Sequence, residues 1–164
     1  MSHGFDPNGF QYNWNGTFVD SILSEEDTEE YYDRIQCFID QYDEIPVLKD
    51  SEYLDNGTRT QTENVADNVG VTASYMGWKA YRDTVSEDTK LPGVDLNEEQ
   101  LFFWSWAHVW CGVSRPAAFA NYTGVHSPYY VRVIGSLQNN KEFKDAFGCG
   151  SDDYMSSTEQ CELW

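Results

Sequence analysis

Two carboxylates four residues apart, Glu63 and Asp67, are the first side chains here whose spacing suggests chemistry. At that spacing they share one face of a helix, where two like charges repel slightly and need solvent or a cation. Solvent is the ordinary case. However, Val65 and Val69 make this stretch too apolar for a fully exposed helix. A bound cation is therefore the alternative for this pair.

Histidine, the usual general base and metal ligand, occurs only as His3, His108 and His126. His108 lies within an apolar helical stretch and is expected to be a core histidine. His126 precedes a Ser-Pro pair in a loop, which is a better position for a functional imidazole, although a simple turn histidine fits the same pattern.

The sequence does not match other common functional motifs. The run Asp6-Pro7-Asn8-Gly9 begins like a calcium loop, but an EF-hand needs an oxygen ligand at Phe10, glycine at Gln11 and glutamate at Thr17. The chain also has no GxSxG motif, no glycine-rich phosphate loop and no CxxC pair. These absences argue against a serine hydrolase, a nucleotide-binding loop and a four-cysteine zinc site.

Composition excludes further classes. The 164 residues carry 28 acidic and 10 basic side chains, a net charge of −18, so a nucleic-acid partner is not expected. An aromatic content of 16% indicates a folded chain rather than a disordered one. The most apolar stretch, Leu101 to Val113, is well short of the roughly 20 residues that span a bilayer. No membrane span is predicted.

Cysteines and sequons favour an exported protein. The four cysteines are an even number, and three Asn-x-Thr sequons begin at Asn15, Asn56 and Asn121. No signal peptide is readable between Met1 and Asp20, so an exported chain of this sequence would lack a recognisable export signal.

The elements that must position these side chains are mostly helices. Ser24 is a predicted N-cap for a helix that Pro46 ends, and Asn97 with Gln100 forms a capping-box pattern. Gly70 and Gly77 are expected to be close-packing points on the second helix. The helix after Ser24 is expected to bury Tyr31, Ile35, Phe38, Ile39 and Tyr42. The second helix is predicted from about Thr58 to Val85, with one side formed by Val65, Val69, Thr72, Met76 and Lys79 or Ala80. The other predicted elements are a helix Glu98 to Cys111, a short helical piece Pro116 to Ala120, an extended Tyr129 to Ile134, and a helix capped by Asn139 that reaches Phe147.

Several runs, in order, resemble the C-terminal end of the neprilysin and endothelin-converting-enzyme family of zinc metallopeptidases. The similarity covers nearly the whole chain. Its motifs are Glu63-Asn64-Val65-Ala66-Asp67-Asn68, Leu91-Pro92-Gly93, Glu99-Gln100-Leu101-Phe102-Phe103, Val109-Trp110-Cys111, His126-Ser127-Pro128 with Arg132-Val133, Glu142-Phe143 to Ala146-Phe147 with Cys149 and Met155, and Cys161-Glu162-Leu163-Trp164.

The resemblance implies a role for each matching residue. Glu63 resembles the third zinc ligand of a His₂Glu site. Asp67 resembles a second-shell acid, often described as a proton donor, and Asp6 also matches a second-shell position. His126 is similar to the residue that hydrogen-bonds the oxyanion, and Arg132 to the arginine that binds a substrate carbonyl.

The beginning departs from the family pattern. In the family, HExxH-G-F-D supplies two zinc-binding histidines and a general-base glutamate, and His3 aligns with the second histidine. Residues 1–164 therefore resemble a C-terminal portion that starts inside HExxH, with the first zinc ligand and the base absent. We expect this portion alone to bind zinc weakly or not at all and to cleave no peptide, because catalytic zinc sites use three protein ligands.

The resemblance also pairs Cys37 with Cys161. It pairs Cys111 and Cys149 with upstream cysteines, so here those two are expected to stay unpaired. It further implies an extracellular protein or the ectodomain of a membrane-anchored one, with an oligopeptide substrate and with the upstream part of the peptidase as partner.

The expected fold is mainly α, the C-terminal helical half of a thermolysin-like (gluzincin) zinc metallopeptidase catalytic domain. Three functional interpretations remain open. The first is the C-terminal part of an active zinc metalloendopeptidase. The second is a truncated pseudoenzyme that acts as a secreted peptide- or protein-binding module. The third is a structural secreted domain whose Trp104, Trp106 and Trp110 contact another chain.

Overall fold

The computed structural model describes residues 2–85, 90–156 and 159–163. Met1 and Trp164, which belong to the motifs above, lie outside these ranges. The described part is helical, and its only β pairings are two isolated bridges, Tyr12 with Phe18 and Pro46 with Leu54. Its α-helices are α1 (Glu25–Asp43), α2 (Gly57–Arg82), α3 (Glu98–Val109), α4 (Tyr129–Gln138) and α5 (Lys141–Phe147), with 3-10 turns at Ser2–Gly4, Gly9–Gln11 and Pro116–Phe119. Within these ranges, no helix is both long and apolar enough to cross a membrane.

Helix α1 confirms its predicted start. The Ser24 side chain accepts a hydrogen bond from the Asp27 backbone N–H, and the acids of the first turn complement the helix dipole. The helix ends at Asp43, before Pro46. Its buried stripe packs on α2 and α4 and consists of Tyr31, Ile35, Phe38 and Tyr42, with Ile39 partly buried.

Helix α2 forms where predicted, but its packing differs. Asn56 caps it through the Arg59 N–H, and its buried face includes Asn64, Val65, Asp67, Asn68 and Val71. Thr72, Lys79 and Ala80 are exposed and Met76 is 64% exposed, so the predicted stripe does not extend beyond Val69. Among the described residues, a Cβ on Gly77 would meet no atom within 4 Å, and one on Gly70 would meet the Ser2 side chain at an ordinary 3.5 Å, so the close-packing prediction for both glycines is wrong.

Helix α3 has the predicted capping box, with Asn97 and Gln100 bonding each other's backbone N–H groups. Phe103 is buried and stacks against Tyr75, which fixes α3 on α2. The opposite face is exposed. His108 lies there on the ring of Trp104, with centroids 4.8 Å apart, so the core-histidine prediction is wrong.

Helix α4 occupies the stretch predicted to be extended. Its tyrosines and valines favour a strand by propensity. However, Pro128 has φ −55° as N-cap and its carbonyl accepts from the Arg132 N–H, which starts a helix. Tertiary packing then decides, because Val131, Ile134 and Leu137 are buried at helical spacing.

The cap of α5 is Asn140 rather than Asn139. The Asn140 side chain accepts from the Phe143 N–H. Asn139 instead bonds the side chains of Gln41 and Asn68 and accepts from the Cys161 N–H. It therefore holds the C-terminal tail against the helices.

The Cys37–Cys161 disulfide predicted from the resemblance is confirmed, with Cα atoms 5.7 Å apart. It joins α1 to the tail, and Arg34 adds a hydrogen bond of 2.9 Å to the Leu163 carbonyl. Cys111 and Cys149 are free thiols in the structure, the first exposed and the second partly buried.

Gly135 of α4 provides a test of this packing. A Cβ there would lie 2.3 Å from Cζ of the fully buried Tyr42, whose ring cannot swing aside. Gly135→Ala is expected to lower the free energy of unfolding by about 1–3 kcal/mol through overpacking. Gly77→Ala, in open space within α2, is the matched control and should raise it by about 0.5–1 kcal/mol. Denaturant unfolding measures both, and a stabilising effect at Gly135 would contradict the packing described.

Candidate functional site

Three side chains distant in sequence converge at the middle of α2. The 3-10 turn Ser2–Gly4 lies against this helix and places His3 Nε2 3.4 Å from Glu63 Oε2. The loop before α4 places His126 Nε2 3.1 Å from the same oxygen. His3 and His126 are more than half exposed and Glu63 is mostly covered, so the cluster opens to solvent through its imidazoles.

Asp6 fixes the ring of His3. Its Oδ2 lies 2.6 Å from His3 Nδ1, and its Oδ1 accepts from the backbone N–H groups of Asn8 and Gly9 at 2.8 Å each. Asp6 is almost fully buried. A carboxylate at Nδ1 favours the tautomer that carries its proton there, which leaves Nε2 with a lone pair on the side of Glu63.

Gly9 is required for this turn. A Cβ at this position would lie 1.8 Å from the carbonyl oxygen of His3. Only glycine lets the two backbone segments approach so closely. The Gly-rich N-terminal run therefore serves to hold His3 in place.

Asp67 faces a different partner, Arg132 of α4. Arg132 Nε donates to Asp67 Oδ2 at 2.6 Å and Nη2 donates to Oδ1 at 2.7 Å, a bidentate pair that is largely buried. Burial raises the pKa of Asp67, and the guanidinium opposes that shift. The guanidinium also lies 3.8 Å from the centroid of the Trp110 ring. Both groups are therefore fixed before any ligand arrives, and Nη1 is not engaged by Asp67.

Arg132→Met should be strongly destabilising, because it leaves the Asp67 carboxylate buried without its counter-charge. The expected loss in the free energy of unfolding is about 3 kcal/mol. Lys141→Met is the control, since Lys141 forms an exposed pair with Asp145, and it should change stability little. Thermal unfolding of both variants at neutral pH measures the difference. Equal small losses would show that the buried pair contributes no more than a surface one.

The donor chemistry of His3 and Glu63 matches one metal in particular. An imidazole nitrogen with an oriented second nitrogen, beside a carboxylate oxygen, is the kind of donor pair that zinc takes. Catalytic zinc uses three protein ligands. Within the described ranges no group of three or more His, Cys, Asp or Glu side chains is arranged to hold a metal ion. His3 and Glu63 therefore fit part of a zinc site.

Two clefts border the Asp67–Arg132 pair. One of about 770 Å³ lies between α2 and α3, with Asp67 and Trp106 among its lining residues. The other, of about 760 Å³, is lined by His126, Arg132 and Trp110, among others. A peptide-sized ligand could thus reach His126 and Arg132 from one side.

The structure places the remaining predicted residues as follows. Asn15, Asn56 and Asn121 are all exposed.

Sequence reasoning missed a buried polar cluster behind His126, formed by Asp55, Thr60, Asn64 and Ser127. Its only sequence signal is that Asn64 and Ser127 directly follow Glu63 and His126.

Comparison with known proteins gives a consistent result. The sequence model described as peptidase family M13 matches residues 1–163. Mouse neprilysin is 41% identical over 167 residues, and human membrane metallo-endopeptidase-like 1 is 40% identical over 166 residues; both matches cover all of this chain. The chain spans only about a fifth of the length of these relatives, 22% and 21% respectively.

Two solved structures have folds similar to that of this chain. A chain of the Haemonchus galactose-containing glycoprotein complex superposes with a TM-score of 0.86 at 30% identity, covering 99% of this chain and 27% of that one. The Mycobacterium tuberculosis zinc metalloprotease Zmp1, in complex with an inhibitor, gives a TM-score of 0.84 at 26% identity, covering 98% and 25%.

Proposed function

The chain belongs to peptidase family M13, and on that premise we propose that it forms the helical part of a zinc metalloendopeptidase site, with His3 and Glu63 as zinc ligands. The observation that carries the proposal is the convergence of His3 Nε2 on Glu63, with His3 Nδ1 held by the buried Asp6.

Zinc, when bound, supplies a Lewis acid and lowers the pKa of a coordinated water. The chain's own residues orient the zinc-binding histidine and stabilise charge on the substrate. Asp6 holds the His3 tautomer. His126, half exposed beside Glu63, is placed to donate a hydrogen bond to oxygen charge that develops on a substrate carbonyl.

Arg132 is proposed to bind a substrate carbonyl. Asp67 holds two of its nitrogens and Trp110 covers its face, so the guanidinium is oriented without paying ordering entropy when a peptide binds. The cleft that Arg132 shares with His126 would receive an oligopeptide substrate. By resemblance to the family, cleavage would occur on the amino side of a hydrophobic residue.

The proposal predicts a difference between two proteins. The complete gene product should cleave an oligopeptide in a reaction that a chelator stops and added zinc restores. In the described part of the chain, His3 and Glu63 are the two proposed zinc donors, so a polypeptide of residues 1–164 alone should bind zinc weakly and show no cleavage above background. Equilibrium dialysis with zinc and a fluorogenic peptide assay measure both. Chelator-sensitive cleavage by residues 1–164 would contradict this assignment of ligands.

A peptide-binding module without catalysis is the second candidate. It is favoured by the cleft at Arg132 and by the lack of a three-donor group in the described part of the chain. These two assays, together with a titration of peptide binding, separate the candidates. Binding of the peptide by the complete gene product, with no zinc uptake and no cleavage, would support this module and reject the peptidase.

An extracellular location is also proposed. Its support is the Cys37–Cys161 disulfide, which forms in oxidising compartments, together with exposed side chains at Asn15, Asn56 and Asn121 that N-glycosylation could reach. The similarity to membrane metallo-endopeptidase-like 1, a relative named for a membrane, also supports this location.

A further inference from the structure

The buried polar cluster behind His126 joins the two halves of the candidate site. Asp55, Thr60, Asn64 and Ser127 are each at most 9% exposed. Ser127 follows His126, and Asn64 follows Glu63. Ser127 Oγ lies 2.5 Å from Asp55 Oδ2 and 2.6 Å from Asn64 Oδ1, so one hydroxyl connects the loop to α2 and to the segment before it.

The protons of this cluster can be counted. With the Asn64 amide oriented so that Nδ2 donates to Thr60 Oγ1 at 2.8 Å, Oδ1 faces Ser127 at 2.6 Å and can only accept. Thr60 Oγ1 in turn lies 2.9 Å from the Asn56 carbonyl and 3.2 Å from Asp55 Oδ2, and the shorter of these contacts takes its proton. A serine hydroxyl has one proton. It can therefore donate to Asn64 or to Asp55, but not to both.

Both short contacts of Ser127 are satisfied if the acid carries a proton. Asp55 then donates to Ser127, Ser127 to Asn64, Asn64 to Thr60, and Thr60 to the Asn56 carbonyl. Each hydroxyl in this chain accepts one hydrogen bond and donates one. Burial raises the pKa of Asp55, which acts in the same direction, whereas its hydrogen bonds with Ser127, Thr60 and the Asn56 backbone oppose that shift.

A second contact holds the backbone of His126 itself. The Tyr122 hydroxyl donates to the His126 carbonyl at 2.8 Å. The tyrosine reaches this carbonyl over Gly124, where a Cβ would lie 2.3 Å from the hydroxyl oxygen. His126 is thus fixed from the solvent side by Tyr122 and from the buried side through its neighbour Ser127.

We propose that Asp55 is a positioning residue for His126, acting as a neutral donor at the head of the hydrogen-bond chain through Ser127, Asn64 and Thr60. The chain fixes the His126 loop against the first turns of α2, and so sets the distance between His126 and Glu63. This inference rests on the proposed function only where it takes His126 and Glu63 as site residues.

The test uses two substitutions of one side chain in the complete gene product. Asp55→Asn keeps a neutral donor facing Ser127, whereas Asp55→Ala removes it. Crystal structures should show His126 Nε2 still about 3 Å from Glu63 in Asp55→Asn, and displaced by about 1 Å or more, or disordered, in Asp55→Ala. Asp43→Ala is the matched control, because Asp43 accepts from the Gly57 N–H at the start of α2 without contacting Ser127. It should leave His126 in place.

Kinetics supply a readout that a merely structural role would not move. Asp55→Ala should lower kcat roughly tenfold or more with KM within about twofold, and Asp55→Asn should stay within about threefold of the unmodified enzyme. If Asp55→Ala does not fold, Ser127→Ala replaces it, with the same expected displacement of His126.

Two outcomes would overturn the inference. One is an undisplaced His126 in Asp55→Ala or Ser127→Ala, and the other is an Asp55→Asn protein that loses the position of His126 as the alanine variant does. Failure of the unmodified gene product to cleave peptides would count against the proposed function. The crystal structures would then still decide the role of Asp55.

Discussion

Replacing Glu63 with alanine is expected to cost the complete gene product its zinc and its peptide cleavage, with a loss of activity on the order of 10³-fold or more. Glu63 supplies the carboxylate oxygen on which His3 and His126 both converge. Removing it leaves no anionic donor at that point, since Asp67 is committed to Arg132 in a bidentate pair. Metal analysis of the purified protein and a peptide assay measure the two losses.

The fold should survive this change. The Glu63 side chain is not part of the apolar clusters, so the free energy of unfolding should shift by no more than about 1 kcal/mol. Glu26→Ala, on the exposed side of α1, is the control and should retain both zinc and activity. Full zinc content and unchanged cleavage in Glu63→Ala would remove this residue from the ligand set.

The second large effect concerns the disulfide. The Cys37→Ser/Cys161→Ser double variant should be less stable by about 4–5 kcal/mol, because the cross-link closes a loop with a sequence separation of 124 and so restricts the unfolded chain strongly. The lost constraint also frees the tail that Arg34 and Asn139 hold through backbone contacts. Denaturant unfolding under oxidising conditions measures the loss.

Cys111→Ser is the matched control for the disulfide variant. In a polypeptide of residues 1–164, which is used for this comparison, Cys111 is an exposed free thiol, so its replacement should leave the unfolding midpoint nearly unchanged. The unmodified protein should lose stability on reduction by about the same amount as the double variant loses by mutation. A double variant as stable as the oxidised protein would show that the tail is held without the cross-link.

Local signals explain which helices could be predicted. Ser24 and Asn97 are caps whose side chains bond the backbone within three residues, so the starts of α1 and α3 can be read from the sequence alone. The start of α4 could not, because Tyr129 to Ile134 has strand propensity and becomes helical through Pro128 and through burial against distant residues.

The candidate site, too, could be predicted from local sequence only in part. The spacing of Glu63 and Asp67 correctly indicated a shared helix. It could not show that Asp67 pairs with Arg132, 65 residues later, while Glu63 faces the two histidines. Contacts over such separations depend on how α4 packs on α2. The Asp55 to Ser127 contact, across 72 residues, was hidden for the same reason.

His108 illustrates an error of the opposite kind. Its apolar neighbours indicated a core position, yet the face of α3 that carries His108, Trp104 and Val109 is exposed. Phe103 turns inward, together with the partly buried Phe102 and Trp106, and Trp106 Nε1 donates to Ser136. Apolar composition predicts burial only when the helix has a partner on that side.

The most direct test of the central claim is a crystal structure of the zinc-loaded complete gene product, with anomalous diffraction recorded at the zinc edge. The account predicts one strong peak about 2.0–2.1 Å from His3 Nε2 and about 2.0–2.2 Å from a carboxylate oxygen of Glu63, with Asp6 still on His3 Nδ1. A zinc peak that excludes either residue, or no peak in protein saturated with zinc, would contradict it.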